Sequence, residues 1–168
     1  MKATNWTAAA LAVVLGFLAS SAHAQDGQEV NFRHGLGYVF AGPTVVFNGR
    51  SNESVWQVGG GGEYQFTNGL GIGSEVGVIS EHVGQWSVNP YFHFQSADRS
   101  GKFIPFVTAG YTGTHNLEDS KNWFNVGGGV DYWIKERIGV RFEARHNVDL
   151  NHSGPRHYTG LRVGFAWR

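Results

Sequence analysis

The chain has 168 residues, 13 basic and 13 acidic side chains, 25 glycines, 14% aromatic residues and no cysteine. That length suits one domain, a formal charge of zero gives nucleic acid no electrostatic footprint, and the absence of thiols excludes disulfides and thiolate metal sites. Charged residues make up 15%, well below the roughly one quarter usual in soluble domains.

Residues 1–24 stand apart. Lys2 supplies a positive start, residues 8–18 an apolar run, and Ala22-His23-Ala24 a small-x-small cleavage site before Gln25. This pattern predicts a secretory signal peptide, because the run is too short for a membrane-crossing helix; an uncleaved anchor is the alternative. Residues 25–168 then form the mature domain. No later stretch reaches 18 apolar residues, and no helical period, linker or second zone of composition follows.

Strand-like runs arrive one after another. The first, residues 35–47, has no assignable facing, since Tyr38-Val39-Phe40 and Val45-Val46-Phe47 are apolar on both sides. In the second, residues 55–66, Trp56, Val58, Tyr64 and Phe66 alternate with Gln57, Gly59, Gly61, Glu63 and Gln65. Thr67-Asn68-Gly69 predicts a tight turn with Gly69 in the left-handed position. The third run, residues 70–79, sets Leu70, Ile72, Val76 and Val78 against Gly71, Gly73, Glu75 and Gly77. The fourth, residues 86–95, alternates Trp86, Val88, Pro90, Phe92 and Phe94 with Ser87, Asn89, Tyr91, His93 and Gln95. A fifth, residues 103–113, is again ambiguous in its facing.

Residues 123–146 give the clearest pattern. Phe124, Val126, Val130, Tyr132 and Ile134 fall on even numbers, with Asn125, Gly127, Gly129, Asp131 and Trp133 between them. After Lys135-Glu136-Arg137 the apolar row resumes as Ile138, Val140, Phe142 and Ala144, against Gly139, Arg141, Glu143 and Arg145. Period-two alternation on both sides of a polar triplet predicts a β-hairpin, and pairing Ile134 with Ile138 puts both apolar rows on one face. The eighth run, residues 157–167, sets Leu161, Val163, Phe165 and Trp167 against Gly160, Arg162, Gly164 and Ala166.

Eight strands of about 9–11 residues are each long enough to cross a bilayer at a tilt. Turns are expected at 67–69, 96–102 and 135–137, and longer polar loops at 48–53, 80–85, 114–122 and 147–156. Alternation alone allows a soluble lipocalin-like barrel with the aromatic face inside, or a membrane barrel with it outside. Four features favour the membrane arrangement. The polar face is rich in glycine, as a narrow eight-stranded interior requires. It carries both signs of charge: Glu63, Glu75, Asp131 and Glu143 against Arg141, Arg145 and Arg162, a set that can form a structural ion-pair network in the lumen. Lys102, Lys121 and Lys135 all fall in expected turns or loops. Trp56, Trp86, Phe94, Trp123, Tyr132 and Trp167 recur near strand ends, as interfacial aromatic girdles do. The expected fold is therefore all-β: an eight-stranded antiparallel up-and-down transmembrane β-barrel.

The mature chain resembles the small eight-stranded outer-membrane β-barrel family, OmpA/OmpX-like. The likeness lies in Pro105-Phe106-Val107 with Ala109-Gly110-Tyr111, in residues 126–132 running through the turn into residues 138–143, and in the closing strand 161–167. This resemblance implies a place in the outer membrane of a Gram-negative envelope, with chain ends and short turns in the periplasm and longer loops outside. Outer-membrane lipid and lipopolysaccharide would surround the barrel, and a surface or host ligand would meet the loops. It also implies that Phe165 and Trp167 belong to a C-terminal assembly signal read by the barrel-assembly machinery. The family usually ends on its aromatic residue, whereas Arg168 follows here. The chain stops at the eighth strand, so no peptidoglycan-binding module is expected.

Candidate chemistry is sparse. Residues 59–62 and Gly71-Ile72-Gly73 have the look of nucleotide-binding glycine loops, but neither opens a helix whose N-terminus could hold phosphate. Small residues along a crowded strand explain them better. His82, His115, His146, His152 and His157 cluster toward the outer loops; with Arg156 they invite a metal or lipopolysaccharide-phosphate reading, yet their spread spacing favours solvated loop histidines. Glu143, His146 and Ser153 invite comparison with lipid A deacylases, also eight-stranded barrels, but the His-x-Ser-Asn signature of those enzymes is absent. No catalytic residue, cofactor or metal ligand is assigned, so the chain reads as a non-enzymatic protein for envelope integrity and surface interaction. A lipid A-modifying enzyme and a small solute pore are the alternatives. Side chains fill the lumen at eight strands, which weighs against the pore.

Overall fold

A strand with two unlike faces and two open edges is stable in lipid only when the sheet closes on itself, leaving no unpaired backbone row. That closure is what the computed structural model contains. It describes residues 34–47, 52–66, 68–80, 83–94, 101–116, 120–149 and 156–168, so the expected signal peptide and Gln95 lie outside the described residues. The strands are β1 (His34–Phe47), β2 (Asn52–Gln65), β3 (Leu70–Ile79), β4 (Val83–His93), β5 (Phe103–His115), β6 (Ser120–Lys135), β7 (Ile138–Asp149) and β8 (His157–Trp167). Each pairs antiparallel with its neighbour in sequence, and β8 returns to pair with β1 in a closed barrel.

The pleat sorts the side chains as the alternation predicts. Trp56, Ile72, Val76, Val88, Val126, Phe142, Leu161 and Val163 are exposed on the outer wall, while Gln57, Glu63, Glu75, Asn89, Asp131, Arg141, Glu143, Arg145 and Arg162 are buried within. The two ambiguous strands resolve with aromatic residues inside. Leu36, Tyr38, Phe40 and Thr44 of β1 point inward, as do Ile104, Phe106, Thr108 and Thr112 of β5. Inward glycines make room for these rings. A methyl group at Gly59 would stand 2.7 Å from the Phe40 ring, and one at Gly129 would stand 2.8 Å from Phe106. On the outer wall, Trp167 covers Gly37 and Trp86 covers Gly113 in the same manner.

Several expectations need correction. Trp123 is not part of an outer girdle: it shares parity with Asn125 and Gly127, so the pleat turns it inward, where it is 7% exposed. The strands also run further than their apolar cores. β2 begins at Asn52, β4 at Val83 and β6 at Ser120, and β7 continues to Asp149. Polar residues extend the ladder where no apolar face is needed, and the expected loops at this end shrink accordingly. The connection 94–102, at the other end, is longer than 48–51, 80–82 or 116–119. Lys121 consequently lies within β6 and Lys135 closes it; among the described lysines only Lys102 lies outside a strand. In the β6–β7 hairpin, Tyr132↔Val140 and Val130↔Phe142 keep the predicted register, but Lys135 pairs with Ile138 and the ladder shifts between Trp133 and Lys135. Ile134 therefore sits in an irregularity, and Glu136-Arg137 make a tighter turn than the expected triplet. Gly69 does adopt the left-handed conformation, with φ of 81°.

Prolines mark two seams. The β1–β8 ladder breaks between Ala41↔Val163 and Thr44↔Gly160, beside Pro43. The β4–β5 ladder breaks between Val88↔Tyr111 and Tyr91↔Thr108, beside Pro90. Neither proline has an N–H to give. These seams lie on opposite sides of the ring of strands.

Candidate functional site: the ion-paired lumen

Charged and histidine side chains at inward positions on six strands converge on two linked clusters, to which β1 and β5 add aromatic rings. The larger is built around Glu75 of β3. Its Oε1 accepts from the hydroxyls of Tyr38 at 2.7 Å and Tyr91 at 3.2 Å and from Arg145 Nη2 at 3.1 Å. Its Oε2 accepts from Ser87 Oγ at 3.0 Å, Arg145 Nη1 at 2.6 Å and Arg162 Nη1 at 3.0 Å. One carboxylate thus has six donors, most of them charge-assisted or from buried hydroxyls. Glu143, two residues before Arg145 and on the same inward row, takes the other side of the Arg145 fork. The Arg162 guanidinium donates through Nε to Gln57 Oε1 at 3.2 Å and lies 4.4 Å over the Phe40 ring.

The second cluster lies nearer the C-terminal end of the barrel. Glu63 accepts from Arg141 Nη2 at 3.2 Å through one oxygen and meets His93 Nε2 through the other. Asp131 stands 3.5 Å from Arg141 Nε and 3.8 Å from His93 Nδ1. The Arg141 guanidinium is held among ring faces, 4.1 Å from Phe106, 4.4 Å from Tyr38 and 5.2 Å from Tyr91. Delocalised, weakly hydrated guanidinium suits such an enclosure better than ammonium would.

All seven charged residues singled out from the alternation, Glu63, Glu75, Asp131, Arg141, Glu143, Arg145 and Arg162, are brought into these two clusters. Phe165 and Trp167 stand apart from them on the outer wall, their rings 6.1 Å from each other. The charge pattern by itself left out His93, Tyr38, Tyr91, Ser87 and Gln57. For His93, Tyr91 and Ser87 the signal was present, since all three share the inward parity of β4; Tyr38 had none, because its strand is apolar on both faces.

The lumen is not polar throughout. At the C-terminal end, Leu36, Tyr38, Phe40, Ile104, Trp133 and Ala166 pack into a buried apolar cluster. Arg168 caps it: its guanidinium lies 4.2 Å over the Trp133 ring and its Nε donates to the Glu136 carbonyl at 2.8 Å. At the opposite end, Ile79, Trp123 and Tyr158 form a second cluster, flanked by Val46, Val55 and Val83. Trp123 satisfies its indole N–H on Thr114 Oγ1 at 2.9 Å. Most of the charge therefore occupies the middle of the barrel, with an apolar cluster toward each end, beside Gln65 and His93 at one and Gln85 and Asp149 at the other.

The expected loop histidines divide differently. His82 and His152 lie outside the described residues. His115 ends β5 and hydrogen-bonds Ser120 Oγ at 2.8 Å, whereas His146 and His157 are strand residues of β7 and β8.

A closed antiparallel barrel with an apolar outer wall and a filled, ion-paired interior is an integral membrane β-barrel. The chain belongs to the family described as outer membrane protein beta-barrel domain, which matches residues 10–168. Its fold is similar to that of Neisserial surface protein A (NspA), with a TM-score of 0.64 at 10% identity, covering 79% of this chain and 96% of that one. The N-terminal β-barrel domain of Pseudomonas aeruginosa OprF matches with a TM-score of 0.57 at 19% identity over 80% of this chain and all (100%) of that one. Ail, the attachment invasion locus protein of Yersinia pestis, matches with a TM-score of 0.52 at 10% identity over 79% and 97% of the two chains. Compared with curated proteins, the chain matches none in sequence.

Proposed function

We propose that this protein is a non-enzymatic outer-membrane barrel that strengthens the envelope and presents its outer connections for surface contacts, such as adhesion or the binding of a host factor. The observation that carries this reading is the filled lumen. Its carboxylates are held by guanidinium groups, and a packed apolar cluster lies toward each end. A solute pore needs a continuous polar path, and a hydrolase needs a nucleophile, a base within hydrogen-bond reach and a third group that orients the base. His115 with Ser120 and His146 with Thr159 have the first two, at 2.8 Å each, and no described contact places an acid against either ring. Here the buried acids act as acceptors in ion pairs, which favours a rigid structural core over either activity. The attachment named for Ail belongs to that protein; it illustrates that a barrel of this size can carry surface contacts.

Under this reading, residues 1–24 direct export and are removed. The assembly machinery recognises the outward row ending in Phe165 and Trp167. The turns at 67–69 and 136–137 face the periplasm with the C-terminus, and the opposite end meets lipopolysaccharide headgroups and any external ligand. The test has three arms. Fractionation with gel mobility before and after boiling should place the protein in the outer-membrane pellet with a heat-dependent shift. Planar-bilayer recordings of the pure protein should show no conductance steps; regular steps would replace the structural role with a pore. Mass spectrometry of lipid A from a deletion strain should match the parent, and a missing modification would replace it with an enzyme.

A further inference from the structure

Along β7 and β8 the outward row is apolar from the C-terminal end up to Ala144 and Leu161, then turns polar at His146, Thr159 and His157. Register places Thr159 directly opposite His146, and His157 opposite Val148, so the two histidines are diagonal neighbours across the strand pair. Diagonal positions are within reach of long or ring-bearing side chains. The ring centroids are indeed 5.3 Å apart, at 47°. Each ring is also held from behind. His146 Nδ1 shares a hydrogen bond with Thr159 Oγ1 at 2.8 Å, and His157 stacks on Phe47 at 4.6 Å and 24°.

That arrangement has the features of a ligand pair. A hydrogen bond at Nδ1 orients the ring and leaves Nε2 as the free nitrogen, as outer-shell partners do for metal-binding histidines. Imidazole nitrogens suit late first-row divalent ions, with Cu2+ bound most tightly. An anionic headgroup would instead require fixed positive charge, and no described contact brings a guanidinium or ammonium to either ring. Among the described residues no group of three or more His, Asp or Glu could hold a metal, so the described residues supply two ligands here, and water or phosphate oxygen can complete the coordination.

We propose that His146 and His157 form a two-imidazole site for a divalent transition-metal ion, Cu2+ ahead of Ni2+ and Zn2+, on the outer wall at the rim opposite the C-terminus, with Thr159 as a positioning residue. A bound ion pins the start of β8 to the end of β7. The site stands whether or not the surface role proposed above is correct.

Copper(II) chloride titrated into the folded full-length protein in detergent, followed by calorimetry and by electron paramagnetic resonance, tests it. One ion with two nitrogen ligands is expected. His146→Ala and His157→Ala should each weaken binding roughly ten-fold or more, and Thr159→Val should weaken it roughly ten-fold by freeing the ring. His115→Ala should leave affinity unchanged. A heat-dependent gel shift for each variant confirms that it has folded, and all four changes lie on outward positions. Full affinity in both His146→Ala and His157→Ala, no copper binding by the wild type, or binding of inorganic phosphate in place of copper would each overturn the assignment.

Discussion

Val163 and Gly164 are adjacent in β8 yet face opposite media. Val163 is 53% exposed on the outer wall, whereas a methyl group at Gly164 would stand 2.6 Å from the Val39 carbonyl oxygen. Arginine should therefore fail at both positions for different reasons. Val163→Arg places charge against acyl chains at mid-strand, and should cost about 2–4 kcal/mol in urea titrations of the barrel refolded into lipid vesicles. Gly164→Arg meets backbone that cannot yield, so it should give no heat-shifted species on a gel. Equal folding of Val163→Arg and wild type would reverse the facing of every strand. Arg145 is a third case. Removing it as Arg145→Met leaves Glu143, among the described residues, with only Arg162, 3.9 Å away, and takes two of the six donors from Glu75 in a buried site, a loss of about 3–5 kcal/mol in the same titration. Replacing Glu143 as well, in Glu143→Leu/Arg145→Met, should recover part of that loss, because no poorly paired carboxylate then remains at position 143.

At the scale of the element, β8 shows how alternation separates Arg168 from the aromatic residues before it. Arg168 follows the terminal aromatic, but the pleat that exposes Phe165 and Trp167 turns Arg168 inward onto Trp133. Arg168 is consequently no part of the outward row that carries Phe165 and Trp167. Deleting Arg168 should leave insertion intact, read as an unchanged fraction of heat-shifted protein in outer membranes. It should lower unfolding stability by about 0.5–1 kcal/mol, the scale of one partly exposed cation–π contact. A large fall in insertion would give Arg168 a part in assembly that its contacts do not explain. The β6–β7 hairpin makes a related point. Its body keeps the register set by the apolar rows, while the slip beside Ile134 is absorbed at the turn, where no side chain has to reach the lumen.

For the whole molecule, the facing of six strands, the count of eight and the placement of the seven lumen charges were legible in the sequence. Parity along a pleated strand is a local property, and lipid enforces it on the outer face of every strand. Facing was not legible in β1 and β5, where Tyr38, Phe40, Ile104 and Phe106 look as suited to lipid as Val39 or Val107. Only closure decides which apolar row fills the interior, by matching each inward ring to a glycine on the neighbouring strand, as Phe40 to Gly59 and Phe106 to Gly129. The pairing of charges depended on tertiary structure in the same way. Glu63 meets Arg141, and Glu75 meets both Arg145 and Arg162, across separations of 78, 70 and 87 residues, and nothing local in the chain selects those partners. They are chosen by how far successive strands are staggered around the ring, a quantity that exists only once β8 has closed on β1.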